Sequence, residues 1–209
     1  YSCLSPLARE AKLVLPGHAQ GQSTIAVLGP GTGLGKAILV PDGRGGYLGI
    51  PSEGGHGNFC PETQEELSFA AFVAKHEGSG YATWDDVVSG RGLSYVHEFL
   101  TGEHISPAAV SAKLDSAGET MRWFTRFCAR VCRNFALDTL SRGGVYVVGG
   151  AAAKNPAIFS HPAFSAEFRA SPVHAELLSQ IPVSLIENQE SGLWGAAYYG
   201  ARLLAEENN

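Results

Sequence analysis

Two residues with chemistry to offer stand three positions apart in the run Pro51-Ser52-Glu53-Gly54-Gly55-His56-Gly57-Asn58-Phe59. Glu53 brings a carboxylate acceptor and His56 an imidazole, a pairing that suits sugar hydroxyls because these both donate and accept. Gly54 and Gly55 loosen the backbone between them, so both polar ends can enter one pocket and a ligand can approach the main chain. Taken alone, the same spacing also describes an ordinary surface loop. A second capable run, Gly29-Pro30-Gly31-Thr32-Gly33-Leu34-Gly35, lies between the apolar segments Ile25–Leu28 and Ala37–Val40. It fits neither familiar nucleotide loop. The P-loop needs a Gly where Pro30 stands and a Ser or Thr where Ala37 follows Lys36, and the dinucleotide fingerprint needs a Gly where Leu34 or Lys36 falls, then a helix. A glycine hairpin can still cradle phosphate, because its backbone N–H groups can converge on an anion while Thr32 adds a hydroxyl. It can equally be a plain turn between strands.

The elements that must hold these runs follow from periodicity. Thr24–Leu28, Lys36–Val40 and Tyr47–Ile50 read as a three-stranded meander with Pro41-Asp42-Gly43 as its second turn. Leu4, Leu7, Ala8 and Ala11 follow helical spacing until Pro16-Gly17, so the start reads as a helix feeding the first strand. Residues 61–75 predict a helix with Glu62, Glu65 and Glu66 in its first half, where the helix dipole favours acid. Thr83-Trp84-Asp85-Asp86 reads as a capping box, which by itself accounts for an acid at Asp85. Helices are expected over 93–100 and from Ser106-Pro107, and the longest over 117–140, with Met121, Phe124, Cys128, Val131 and Phe135 as its core stripe. Val145–Val148 is a short apolar strand that delivers its carboxyl end into Gly149-Gly150-Ala151, a place where ligands of open α/β sheets lie. Residues 159–168 and 172–178 predict short helices, 181–186 a last strand, and 192–205 a final helix apolar around most of its circumference.

Composition sets outer bounds. With 209 residues, 44% hydrophobic and 17% charged, the chain can bury a sizeable core. A net charge of −5 without any basic run argues against a sequence-independent hold on nucleic acid. No stretch approaches the roughly 18 apolar residues of a membrane span, and the first residues lack the apolar centre of a signal peptide, so a soluble, cytoplasmic chain is expected. Cys3, Cys60, Cys128 and Cys132 contain no C-x-x-C pair, so no structural metal is expected, and Cys128 and Cys132 read as small apolar fillers.

Four motifs in order, GTGLG, SEGGH, DDVVSGRGL and GGVYVVGG, give the chain a resemblance to the bacterial glucokinases from about Ser23 to about Leu204. The zinc-containing ROK kinases are set apart by a Cys-rich loop that this chain lacks. The resemblance implies an α/β fold of the ribonuclease H-like (actin-like ATPase) type, a mixed sheet flanked by helices, whose small domain is largely missing here. Residues 1–22 would lead from that small domain, 23–191 would form the large domain, and 192–209 would be a helix returning toward it with an uncovered apolar face. It further implies ATP-dependent phosphorylation of glucose at the 6-hydroxyl, with Mg²⁺ and a role in glycolysis. Gly31, Thr32 and Gly33 would face the ATP phosphates, Gly149, Gly150 and Ala151 would lie against the nucleotide, and Glu53, His56 and Asp85 would hold glucose. Asp85 departs from the family, which generally has a Glu there. The family's Asp-x-Gly-Gly-Thr loop and Asn-Asp-Phe base motif are absent, so a fragment, inactive alone, is expected, with the general-base Asp upstream of Tyr1. A homodimer is expected. Two other readings stand beside this one: a non-catalytic sugar sensor derived from a sugar kinase, and a kinase for another hexose.

Overall fold

The computed structural model describes residues 1–207 and is built on one six-stranded sheet. In chain order the elements are β1 (Lys12–Leu15), β2 (Ile25–Pro30), β3 (Leu34–Pro41), β4 (Tyr47–Ser52), α1 (Gln64–Glu77), α2 (Trp84–Val87), α3 (Gly90–Thr101) and α4 (Pro107–Lys113). There follow α5 (Glu119–Thr139), β5 (Val145–Val147), α6 (Gly150–Lys154), α7 (Ala157–Ser160), α8 (Pro162–Arg169), α9 (Ala175–Gln180), β6 (Val183–Leu185) and α10 (Ser191–Glu207). The strand order is β1-β6-β5-β2-β3-β4. β2, β5 and β6 run parallel, while β3 and β4 form an antiparallel meander on β2 and β1 closes the far edge antiparallel to β6. This is the mixed, helix-flanked sheet that the resemblance implied.

The strand β2 shows why both faces are covered. Its side chains alternate, so Ala26 and Leu28 enter the main core while Ile25 and Val27 enter a smaller one on the opposite face. The main core lies under α5, whose stripe of Met121, Phe124, Cys128, Val131 and Phe135 is buried throughout. Around it Phe59, Phe69, Trp84, Trp123 and Phe127 meet edge to face or stacked, with Phe69 and Phe127 centroids 5.5 Å apart. Each such ring contributes roughly 1.5–3 kcal/mol by leaving water. The smaller core is covered by the first residues and α10: Tyr1 stacks on Tyr199 at 4.6 Å, and Gly195 lies against Ser2 so closely that a Cβ there would come within 2.9 Å of its backbone nitrogen.

The start of the chain differs from the expected helix. Residues 2–10 form two short 3₁₀ turns, Ser2–Leu4 and Pro6–Glu10, with Ser5 capping the second, and Lys12–Leu15 is an additional edge strand. The spacing of Leu4, Leu7 and Ala8 serves two three-residue turns as well as an α-helix, and Pro6 denies the backbone N–H that a continuous helix would use. Glu62 and Glu66 also do more than answer a helix dipole. Glu66 is fully buried, and Arg130 of α5 donates to it at 2.7 and 3.1 Å, to Glu167 of α8 at 2.7 Å, and pairs with Glu62 at 3.1 Å. Arg126 and Arg133 join the same cluster, which ties α1, α5 and α8 together. On α10, Leu193, Trp194 and Leu203 remain exposed. Among the described residues no helix is long and apolar enough to cross a membrane.

Candidate active site

The glycine run is a tight hairpin between β2 and β3, which pair from Ile25↔Leu39 to Pro30↔Leu34. Its tip is braced from within and without: Gly31 N–H donates to the Gly33 carbonyl at 2.8 Å, and Gly90 N–H, at the start of α3, donates to the Gly31 carbonyl at 2.9 Å. Among the described residues, no hydrogen bond within the chain takes up the N–H of Thr32 or of Gly33. Two backbone donors thus remain at a glycine tip beside the exposed Thr32, the kind of arrangement that can receive an anion.

That tip opens on a cavity of about 720 Å³. Gly31 and Thr32 form one wall with Gly150 and Ala151, so the hairpin and the Gly149–Ala151 turn, far apart in sequence, meet where the carboxyl ends of β2 and β5 lie side by side. Gly149 caps α6 with φ +99°, and a Cβ on it would meet the Pro30 carbonyl at 2.9 Å, so the two turns touch through backbone. The rest of the lining comes from Ser89, Gly90 and Arg91, from Ser106, Pro107 and Ala108, and from Phe124, with Lys154 and Asn155 at the end of α6. Sequence reasoning assigned none of these to the site. The Ser106 cap was legible, whereas the helix expected from residue 93 starts at Gly90 with Ser89 as its cap, and a capping serine does not reveal that two helix starts converge on one hole.

Glu53 and His56 sit outside this cavity, on a single 3₁₀ turn (Gly54–His56) after β4. Glu53 Oε2 and His56 Nε2 lie 3.8 Å apart, and their side chains are 94% and 66% exposed, so the pair is presented to solvent as a unit. The turn is nevertheless fixed. Gly55 packs on the Leu34 carbonyl, where a Cβ would sit 2.1 Å from the oxygen, and Gly57 accepts from Trp84 N–H at 3.0 Å. The glutamate–histidine turn is therefore pressed against the base of the hairpin, two residues from Thr32.

Asp85 lies between the two motifs. Its Oδ1 accepts the Leu34 N–H at 2.6 Å and its Oδ2 accepts from Arg91 at 2.9 Å. Arg91 also pairs with Asp86 at 2.8 Å and with Glu77 at 3.3 Å. The capping box holds as read: Thr83 and Asp86 cap one another, which sets the orientation of α2 and hence of Asp85. Of the expected nucleotide residues, Gly31, Thr32, Gly150 and Ala151 line the cavity, while Gly33 and Gly149 do not line it and are each the sequence neighbour of a residue that does. Of the expected sugar residues, Glu53 and His56 are together, and Asp85 adjoins their turn through Leu34, whose N–H it accepts, and through its neighbour Trp84, whose N–H donates to the Gly57 carbonyl. Among the described residues, no group of three or more His, Cys, Asp and Glu is arranged to hold a metal ion.

Residues 1–203 match the family model described as Glucokinase. The glucokinase of Synechocystis sp. is 30% identical over 209 residues, an alignment that covers 85% of this chain and 59% of that protein. The crystal structure of a glucokinase from an Antarctic psychrotroph superposes with a TM-score of 0.78 at 25% identity, over 91% of this chain and 62% of that one. A ROK family glucokinase from Streptomyces griseus, solved in complex with glucose and AMPPNP, shares the fold with a TM-score of 0.57 at 18% identity, over 86% of this chain and 61% of that one. The chain thus spans about 60% of the length of the relatives it matches.

Proposed function

The chain belongs to the glucokinase family, and from that premise we propose that it forms the nucleotide- and sugar-holding part of a kinase that moves the γ-phosphoryl group of ATP to the 6-hydroxyl of glucose. The observation that carries this reading is the convergence of the Gly31–Gly33 hairpin with Gly150 and Ala151 on one wall of a cavity, the exposed Glu53–His56 pair being mounted on the same hairpin. A volume of about 720 Å³ suits a nucleotide-sized ligand.

Phosphoryl transfer asks the protein for position and for charge complementarity rather than for covalent chemistry. The Thr32 and Gly33 amides, with the Thr32 hydroxyl, would face the phosphates, and Lys154 adds a cation to the wall. Glu53 would accept from sugar hydroxyls while His56 donates or accepts, which orients the 6-hydroxyl toward the hairpin tip. Asp85 has lone pairs left for one further hydroxyl at the junction. Mg²⁺ would be held there largely by phosphates and water with one or two carboxylates. The general base that the family supplies as an Asp has no counterpart motif in this sequence, and we assign it to the part of the relatives' length that this chain does not span. A cytoplasmic, glycolytic homodimer completes the proposal.

Titration calorimetry of the chain with glucose and, separately, with AMPPNP tests it. Both are expected to bind, and a coupled assay for glucose 6-phosphate is expected to show little turnover by the chain alone. Glucose binding without AMPPNP binding would replace the kinase reading with the sensor, and tighter binding of a different hexose would reassign the substrate.

A further inference from the structure

We propose that Asp85 is a positioning residue for the phosphate-facing hairpin, a brace that carries the rigidity of α2 and Arg91 into the tip that Gly31, Thr32 and Gly33 form. The inference rests on the nucleotide reading of the cavity and adds to it which side chain sets the hairpin's place.

Three observations converge on this role. First, Asp85 Oδ1 takes the Leu34 N–H at 2.6 Å, the first amide after the tip. A charged acceptor on a backbone donor is among the stronger hydrogen bonds a protein makes. Second, Gly33 is packed against the same carboxylate: a Cβ at Gly33 would lie 2.2 Å from Oδ1 and 2.8 Å from Oδ2. Gly33 is not among the positive-φ glycines, so what demands glycine there is the nearness of Asp85 and not the backbone angle. Third, Asp85 cannot swing away, because Oδ2 is held by Arg91 at 2.9 Å, and Arg91 is itself held by Asp86 and Glu77. Arg91 lines the cavity, yet Nε and Nη2 are both engaged by carboxylates, which suits a strut better than a phosphate ligand. The carboxylate is only 14% exposed, whereas Glu53 on the sugar turn is 94% exposed.

The test uses the full chain and four variants: Asp85→Ala, Asp85→Asn, Gly33→Ala, and Gly33→Ala with Asp85→Ala. AMPPNP and glucose affinities are measured separately by calorimetry, and exchange of the Leu34 amide is followed by NMR. For Asp85→Ala, losing a charge-assisted hydrogen bond should speed Leu34 exchange and weaken AMPPNP binding by about tenfold or more. Asp85→Asn keeps an oxygen for Leu34 and should recover most of both losses. Gly33→Ala should show the same signature from the other side of the contact, and it carries the test if Asp85→Ala does not fold. The double variant should be no worse than Asp85→Ala, because the added methyl then meets no carboxylate. A fall in glucose affinity with AMPPNP binding unchanged would overturn the inference and make Asp85 a sugar ligand alone. Unaltered Leu34 exchange would overturn it as well. Absence of AMPPNP binding by the parent chain would instead sink the nucleotide reading beneath it.

Discussion

Glu53 and His56 belong to neither core cluster among the described residues, and their side chains face one another at 3.8 Å on an exposed turn. Replacing them should therefore leave folding intact while removing acceptors and donors that a sugar would use. Glu53→Gln and His56→Ala are each expected to lower glucose affinity by about tenfold, with melting temperature and AMPPNP affinity unchanged. Unaltered glucose binding in both variants would remove this pair from the site. Thiol chemistry offers a separate check on the packing. Cys60 is exposed, whereas Cys3, Cys128 and Cys132 are buried, and burial pushes the Cys132 thiol up to about 12 and the Cys3 thiol to about 11. A disulfide-exchange reagent should titrate one thiol quickly in the native chain and the rest only on unfolding. The spacing of Glu53 and His56 could be read directly from the sequence. The bracing of Leu34 could not, because a hydrogen bond between residues 34 and 85 leaves no periodic trace.

At the level of elements, the packing of α5 on α1 and α8 depends on charge as well as on its apolar stripe. Arg130 is fully buried against Glu66 and Glu167, and removing one partner of a buried ion pair typically costs about 3–5 kcal/mol. Arg130→Met should thus lower the melting temperature by on the order of 10 °C at neutral pH. The pH dependence follows from Glu66. Burial alone would raise its pKa, but the Arg130 hydrogen bonds and charge outweigh burial and hold it below the ordinary value. A native pKa below the unfolded one means that the stabilisation is complete above roughly pH 4.3 and is lost as pH falls through the native value. Melting curves between neutral and strongly acidic pH should show this decline in the parent chain and a flatter one in Arg130→Met; equal slopes would contradict the account. The helix α5 and its stripe were legible because a single face repeats by three and four over 21 residues. The arginines on its other faces were not, since Arg126, Arg130 and Arg133 resemble solvent-facing charges until α1 and α8 are placed against them.

For the molecule as a whole, the strong signals were the meander, the glycine turns and the long helix, each set by local rules, and all of them stand. What eluded the sequence was non-local. The edge strand β1 is four residues long and is defined only by its partner β6, nearly the full chain away. The cavity wall is assembled from five separate segments of the chain. The same limit applied to the first residues, where spacing alone does not separate a 3₁₀ turn from an α-helix.

The stacking of Tyr1 on Tyr199 also has an architectural consequence. From Tyr199 the last helix runs on only about 12 Å to Glu207, at 1.5 Å per residue. A short flexible bridge could therefore close the polypeptide into a ring without disturbing the sheet. Such a ring could be reopened at the turn holding Gly43 and Gly45, where a Cβ at either would meet nothing within 4 Å. The reordered chain should keep the circular-dichroism spectrum and cooperative melting of the original.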